Sequence, residues 1–179
     1  MTAKAQMSVL VYDVGGSHVS AAVCHSNTYR LGPVLSAPLP EIETSDAFVG
    51  MLHSLGVRAS AGLEPVAGAE LAFPGPFNFE AGISQMQHKL SYLYGIDLRK
   101  EIADRFAWEP IQVQFLHDSA AFLLGEIGAG AARGVRREGN VRLQGPDDPI
   151  GIASRKRHAE IAGKASLPIT IHADIRTAR

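Results

Sequence analysis

The stretch Val9-Leu10-Val11-Tyr12-Asp13-Val14-Gly15-Gly16-Ser17 decides the fold class of this chain. Its apolar first half predicts a buried β-strand, and its two glycines let the backbone turn and bring N–H groups close to a phosphate. A second apolar run, residues 111–116, leads into His117-Asp118. In an open α/β sheet a crevice and a helix N-terminus are expected at a strand's carboxyl end, so Asp118 is expected beside that crevice.

Length and composition indicate one domain plus a tail. The chain has 179 residues, of which 46% are hydrophobic and 20% are charged, and this is enough to bury one core. It contains no apolar run of about 18 residues, so no membrane partner is expected, and the N-terminus does not resemble a secretory signal. The lone Cys24 cannot form an internal disulfide. Together these features predict a cytoplasmic protein.

Charge divides the chain into two unlike parts. Residues 1–132 carry seven Lys and Arg against thirteen Asp and Glu, whereas residues 133–179 carry ten against five, so the net charges are −6 and +5. The basic part contains no aromatic residue to stack on bases and no apolar stripe to gather its charges on one helix face. We therefore expect no nucleic-acid partner.

The hydrophobic pattern predicts an α/β order up to about residue 132. The strands are expected at residues 9–12, 19–25, 29–37, 67–73 and 111–116. Gly32-Pro33 interrupts the third of them, as is typical of an edge strand. Helices are expected after the cap cluster Thr44-Ser45-Asp46, ending near Gly56, after the cap at Asp97, and from Ser119 onward.

Four motifs taken together resemble the ROK family (repressors, open reading frames, kinases), which includes bacterial glucokinases and other hexose kinases. The segment 13–17 is similar to the family's Asp-x-Gly-Gly-Thr phosphate motif, with Ser in place of Thr. The strand that ends in Pro74-Gly75-Pro76, the segment 87–90, and the stretch from His117-Asp118 to Gly125-Glu126 match three further family motifs. The resemblance covers about residues 7–134.

The resemblance implies a fold, a reaction and two cofactors. The fold is α/β, namely the N-terminal lobe of the actin-like ATPase and sugar-kinase (ribonuclease H-like) fold, with a mixed sheet and flanking helices. The reaction is transfer of the γ-phosphate of ATP to a hexose hydroxyl, with Asp118 as the catalytic base. Asp13 would hold Mg²⁺, through water, and Gly15, Gly16 and Ser17 would lie near the transferring phosphate.

The resemblance also implies which residues contact the hexose. These candidates are Pro74, Gly75, His88, Lys89, His117 and Glu126. Two of the motifs depart from the family, because His117 stands where the family has Asn and His88-Lys89 stand where it has Asn-Leu. No zinc site is expected, since the histidines show no metal-ligand spacing and have no cysteine partners.

The family pattern stops after Arg137. In the family a Gly-Thr-Gly loop, a His and Cys zinc cluster and an adenosine-binding lobe follow, and residues 135–179 contain none of these patterns. We therefore predict a kinase lobe at residues 1–134 and a basic, irregular tail at residues 135–179, either disordered or produced by truncation or a change of reading frame. The uncovered lobe surface is expected to favour aggregation or a homo-oligomer.

Two function hypotheses follow, and each candidate residue also has an ordinary structural explanation. The chain is either a shortened, inactive ROK-type hexose kinase or a non-catalytic lobe that binds a sugar or a protein partner. Asp118 can equally be the N-cap of the following helix, and the segment 13–17 a plain hairpin turn. His88 and Lys89 can be solvated loop residues, and Glu126 an exposed helix residue.

Overall fold

The computed structural model describes residues 8–25, 28–39, 41–63 and 65–128, so the predicted tail lies outside the described residues. Eight strands are found in this part of the chain: β1 (Ser8–Val14), β2 (His18–His25), β3 (Arg30–Leu31), β4 (Leu35–Pro38), β5 (Ala69–Phe73), β6 (Phe77–Asn78), β7 (Ile83–Ser84) and β8 (Val113–His117). Six of them form one sheet of order β3-β2-β1-β5-β8, with β4 also paired to β2. The short strands β6 and β7 form a separate hairpin.

Three α-helices accompany the sheet: α1 (Ser45–Ala59), α2 (Leu98–Phe106) and α3 (Asp118–Gly128). The predicted caps are present, because Thr44 Oγ1 accepts a hydrogen bond from the Ala47 N–H at 3.2 Å and Asp97 Oδ1 accepts one from the Lys100 N–H at 3.0 Å. These bonds satisfy backbone donors that the first turn of a helix leaves unpaired. Among the described helices, none combines the length and apolar character needed to cross a membrane.

The sheet is mixed, as predicted. Strand β1 pairs antiparallel with β2 and parallel with β5, and β5 pairs parallel with β8. The three parallel strands therefore end at the same edge of the sheet. The register sets Asp13 opposite Ala72, and Ala72 opposite Leu116.

Each face of the sheet is covered by a different helix layer. On one face, buried side chains of β1, such as Leu10 and Tyr12, pack in a single cluster with Leu52 of α1 and Ile102 of α2. On the other face Ala121 of α3 packs against side chains of β5 and β8. The two sides of the sheet follow from the alternation of side chains along each strand.

Most predicted elements differ from the structure by one or two residues at their ends, and three differences are larger or divide an element. Helix α1 continues through Gly56 to Ala59. Strand β8 starts at Val113 rather than Ile111, because residues 110–112 form a 3₁₀ turn that opens with a proline. The predicted strand 29–37 is two short strands, β3 and β4, on either side of Gly32-Pro33.

Gly56 lies inside α1 because the helix packs too closely on β1 for any side chain at this position. A Cβ atom there would collide with Tyr12 Oη and lie 2.9 Å from both Leu10 Cδ1 and Phe106 Cζ. Tyr12 is buried, and its hydroxyl donates a hydrogen bond to the Leu52 carbonyl oxygen at 2.9 Å. The glycine thus lets the helix backbone approach the sheet.

We expect Gly56→Ala to lower the free energy of unfolding by about 1–3 kcal/mol, as is typical when a well-packed core is overfilled. Alanine favours a helix over glycine by about 1 kcal/mol, so the collision must outweigh that gain. Gly50→Ala in the same helix is the matched control, since its Cβ would meet only Arg105 Nη1 at 3.6 Å. We expect the control to stabilise the chain in urea denaturation. Equal effects of both substitutions would contradict this packing.

Cys24 is a core residue of the sheet. Its side chain is fully buried beside Val11 and Ala22. Burial, together with the nearby charge of Glu70, raises the pKa of the Cys24 thiol to about 12. Because the thiolate is the reactive form, both effects make this thiol inert.

We therefore expect a thiol-specific reagent at pH 8 to label the native chain at least about 100-fold more slowly than the urea-unfolded chain. The raised pKa favours the neutral thiol in the folded state. Its contribution to stability is therefore complete below the unfolded-state pKa and is lost as the pH rises toward the folded-state pKa. Absorbance-monitored labelling at pH 8 tests the first point. A native rate equal to the unfolded rate would show that this face of the sheet is open.

Candidate functional site

The candidate site is built at the edge where the three parallel strands end. Asp13 is the last residue but one of β1 and is half-buried. Asp13 and Leu116 are both register partners of Ala72, on the strand between them. Because neighbouring strands lie about 4.8 Å apart, the Cα atoms of Asp13 and Leu116 are about 10 Å apart. Asp118 follows two residues later as the first residue of α3. The fold therefore brings Asp13 and Asp118 to one edge of the sheet.

The glycine motif forms the turn between β1 and β2. The Gly15 N–H donates a hydrogen bond to the His18 carbonyl oxygen at 3.0 Å, and the Ser17 carbonyl oxygen accepts one from the Leu39 N–H at 2.9 Å. Neither Gly15 nor Gly16 has a positive φ angle. The tip is open, because a Cβ on Gly16 would meet nothing within 4 Å. The motif is thus a hairpin turn whose exposed backbone leaves room for a ligand.

Asp118 is held by its two chain neighbours. Its Oδ1 accepts a hydrogen bond from the Ser119 N–H at 2.6 Å and lies 2.9 Å from His117 Nδ1. Both side chains are partly open, with 45% of the His117 and 39% of the Asp118 side chain exposed. The carboxylate therefore faces solvent at the sheet edge while one of its oxygens is fixed.

The Nδ1 atom of His117 has polar neighbours on two sides. It lies 2.9 Å from Asp118 Oδ1 and 2.7 Å from Ser119 Oγ, and it accepts a hydrogen bond from the Ser119 N–H at 3.3 Å. The other ring nitrogen, Nε2, is on the side of Gly75. The ring therefore bridges the two segments that follow β5 and β8.

Gly75 brings the Pro-Gly-Pro segment against the His117 ring. The Gly75–Pro76 peptide bond is cis. A Cβ on Gly75 would lie 3.4 Å from His117 Nε2, which is ordinary contact. The two predicted motifs, one after β5 and one after β8, are therefore direct neighbours, as the pairing of Phe73 with His117 requires.

The hairpin β6–β7 supports the His117 ring from the other side. The Phe79 and His117 ring centroids are 5.7 Å apart. Arg99 Nη2 donates a hydrogen bond to the Phe79 carbonyl oxygen at 3.0 Å, and burial lowers the pKa of this arginine. Gly82 has a φ of +80°, and its Cβ would lie 2.6 Å from Arg99 Cβ. Only glycine suits both the backbone angle and the close approach of the Arg99 side chain.

A cleft of about 460 Å³ lies beside the Pro-Gly-Pro segment, lined by Gly75-Pro76 on one side and by residues 85–89 on the other. The Gln85 N–H donates to the Pro76 carbonyl oxygen at 3.1 Å, which ties the two segments together. The structure thus brings Gly75, His88 and Lys89 to one cleft. Pro74 is half-buried just before it.

Glu126 is the candidate that the structure keeps apart. It lies eight residues beyond Asp118 on α3, which corresponds to about 12 Å along a helix. The residues that line the cleft do not include it. Glu126 is partly buried and interacts with other residues.

Sequence reasoning named Pro76 and Gln87 only as parts of motifs, and it missed the cleft residues Gln85 and Met86. They follow β7, a two-residue strand too short to give a hydrophobic period. The turn before β7 is indicated in the sequence by Asn78 and Gly82, because asparagine and glycine are typical of turns. In the structure the Asn78 Oδ1 atom accepts a hydrogen bond from the Ala81 N–H at 3.0 Å.

The described residues include no group of three or more His, Cys, Asp and Glu side chains that could hold a metal ion. This does not conflict with a nucleotide-borne Mg²⁺, because that ion is bound through one or two carboxylates plus substrate phosphates and keeps several waters. Asp13, one half-buried carboxylate near the open tip at Gly16, fits that limited role.

Comparison with known proteins rests on structure rather than sequence. No family model matches the sequence, and no curated protein matches it significantly. The structure matches the ROK hexokinase of Thermus thermophilus with 24% identity and a TM-score of 0.58, over 68% of this chain and 38% of that one. A ROK family glucokinase from Streptomyces griseus, solved with glucose and AMPPNP, matches with 19% identity and a TM-score of 0.59, over 71% and 38% of the two chains.

A regulator also shares the fold. A ROK family transcriptional regulator, a homolog of the E. coli MLC protein, matches with 19% identity and a TM-score of 0.56, over 69% of this chain and 31% of that one. This chain therefore spans between about a third and two fifths of the length of these three proteins. Its described residues have the actin-like ATPase fold in the form found in the N-terminal lobe of ROK-family sugar kinases.

Proposed function

We propose that this chain is the sugar-binding, base-bearing lobe of a ROK-type carbohydrate kinase, which transfers the γ-phosphate of ATP to a hydroxyl of a hexose such as glucose. The observation that carries the proposal is the meeting of Asp13, Gly75 and Asp118 at the ends of three adjacent parallel strands. Phosphoryl transfer needs an acceptor held in line, a base for its proton and stabilisation of the phosphate charge. Gly75 borders the cleft for the acceptor, Asp118 is the candidate base, and Asp13 is the candidate carboxylate for the Mg²⁺ that neutralises the phosphate charge.

Asp118 is the group we assign to the proton of the hexose hydroxyl. The contacts from Ser119 and His117 both end on Oδ1, so Oδ2 is the oxygen that we assign to the sugar. Two contacts on one oxygen fix the plane of the carboxylate, and a base that is held in place needs no reorganisation when it accepts the proton.

The β1–β2 turn is the part that we assign to the phosphates. The backbone at Gly16 and Ser17 is exposed, and Asp13 lies close to it in the chain as the candidate carboxylate for Mg²⁺. When bound, Mg²⁺ neutralises charge on the transferring phosphoryl group. An exposed turn with no Cβ at its tip lets a phosphate oxygen approach the backbone N–H groups.

The cleft beside Gly75 is the part that we assign to the hexose. Its volume of about 460 Å³ falls within the range of small-molecule sites. Met86 is buried and gives the cleft an apolar floor, whereas Gln85 and Gln87 supply amide groups at its rim. An apolar surface with several hydrogen-bonding groups suits a sugar, which has both C–H faces and hydroxyls.

A second candidate is a lobe that binds sugar, or a partner protein, without turning it over. The observation that favours it is the cleft itself, which the described lobe forms from its own residues, while the chain spans 38% of the hexokinase and of the glucokinase that it matches. Catalysis in this fold uses groups from two lobes across a cleft, so the described lobe by itself would hold the sugar and the base only.

We expect Asp118→Asn to weaken glucose binding to the full chain about tenfold, because it removes a hydrogen bond to a charged acceptor, worth about 1.5 kcal/mol. Titration calorimetry measures this change. Asp104→Asn is the matched control, since Asp104 is an exposed carboxylate that pairs with Lys100 on α2, and it should leave the affinity unchanged. If wild-type chain binds no hexose at millimolar concentration, the proposed function is wrong.

Turnover separates the two candidates. We expect the purified 179-residue chain, supplied with ATP, Mg²⁺ and glucose, to release ADP no faster than the same mixture without glucose. A coupled ADP assay measures this rate. Glucose-dependent release that disappears in Asp118→Asn but persists in Asp104→Asn would instead identify the chain as a complete kinase.

A further inference from the structure

We propose that the sugar held in this cleft carries an anionic group, a carboxylate or a phosphate, and that Lys89 binds that group. The inference rests on the proposed function, because it names the class of sugar for the same cleft. It starts from three side chains at this part of the structure, His88 and Lys89 in the cleft and His117 beside it. All three side chains are nitrogen bases, and two of them stand on the rim of the cleft.

The charge of the cleft is opposite to that of the domain around it. Residues 1–132 carry a net charge of −6. The residues that line the cleft nevertheless include Lys89 and His88 but no carboxylate. A neutral sugar gains nothing specific from a lysine, which acts as a positive point charge, whereas an anionic group does. The local charge therefore complements an acidic ligand.

Lys89 has no ion-pair partner among the residues that the structure describes. Two other basic side chains of the domain form ion pairs, Lys100 with Asp104 and Arg105 with Asp46. Arg99 is directed to the Phe79 carbonyl oxygen. The ion pairs formed within the described part of the chain do not include Lys89. Lys89 is exposed and lines the cleft, so its ammonium group can bind an anion from solution.

The segment that carries Lys89 is anchored at both ends. Met86 is buried, and the Gln85 N–H is bonded to the Pro76 carbonyl oxygen. On the other side Leu90 packs on the main core, and its carbonyl oxygen accepts a hydrogen bond from the Leu93 N–H at 2.9 Å. The loop therefore presents Lys89 from a fixed backbone, which lowers the entropy lost when a ligand binds.

Leu90 also has a strained backbone, with φ 49° and ψ 39°. A side chain other than glycine in this left-handed region costs about 1 kcal/mol or more, and such strain concentrates at ligand sites. Here it turns the chain directly after Lys89 and lets the leucine reach the core. The strain and the unpaired lysine are independent observations that lie in adjacent residues.

His117 lies beside the cleft without lining it. Its Nδ1 faces Asp118, and its Nε2 faces Gly75, which lines the cleft. The side chain behind Gly75 is therefore a nitrogen base and not a carboxylate, which is consistent with an acidic ligand.

The test is titration calorimetry of the full chain with glucose, glucuronate and glucose 6-phosphate at low ionic strength, with inorganic phosphate as a sugar-free anion. We expect at least one of the two anionic sugars to bind about tenfold or more tightly than glucose, as one charge-assisted contact would give. Which of the two binds better identifies carboxylate or phosphate as the anion. We also expect the preference to shrink at 0.5 M salt.

Variants assign the preference to Lys89. Lys89→Met should lower the affinity for the anionic sugar about tenfold more than it lowers the affinity for glucose, and Lys89→Gln should do the same if the methionine variant folds poorly. Lys100→Met is the matched control, because that lysine is exposed on α2, and it should leave the preference intact. Glucose binding as tightly as both anionic sugars, an unchanged preference in Lys89→Met, or inorganic phosphate binding as tightly as glucose 6-phosphate would overturn the inference. If the chain binds none of these sugars, both this inference and the proposed function are wrong.

Discussion

The parallel pairing of β1, β5 and β8 is the constraint on which the candidate site depends. The residues that carry the proposed chemistry are more than a hundred positions apart, from Asp13 to Asp118, and only the register through Ala72 brings them to one edge. Side-chain period in a strand is two, so a slip of one residue would turn Asp13 toward the main core. The buried neighbours Tyr12 and Val14 prevent that slip, since it would expose both of them. Packing of the core thus fixes the position of the polar edge.

A chain of aromatic contacts connects that core to the site. Phe48 of α1 meets Phe73 edge to face at 6.2 Å, and Phe73 meets Phe77 at 4.8 Å. Phe77 and Phe79 rings lie 5.0 Å apart, and Phe79 packs on His117. Aromatic rings pack in preferred relative geometries. The core therefore determines the position of the His117 ring. The orientation of Asp118 then follows from a residue that the core holds in place.

The sequence predicted the parts of this arrangement that have a period or a cap. The buried strands, the Thr44 and Asp97 caps and the order of elements follow from patterns over five or more residues. Boundaries set by tertiary contact did not follow, such as the continuation of α1 through Gly56, where the glycine serves packing on Tyr12 rather than a helix end. The cleft residues Gln85 and Met86 were missed for another reason, since the two-residue strand before them is too short to show a hydrophobic period.

The positions at which the chain departs from the ROK-family motifs that it resembles are not spread evenly over the candidate site. Asp13, Gly16 and Asp118, to which we assign the phosphates and the base, keep their residue types. Of the four differing residues, His117 and His88-Lys89 lie beside or within the cleft that we assign to the sugar, and Ser17 lies in the phosphate turn, where it keeps a hydroxyl. Only groups that contact a sugar discriminate between sugars, whereas the base and the phosphate turn serve any acceptor. The cleft beside Gly75 is therefore the part of the candidate site in which these differences would alter the choice of ligand.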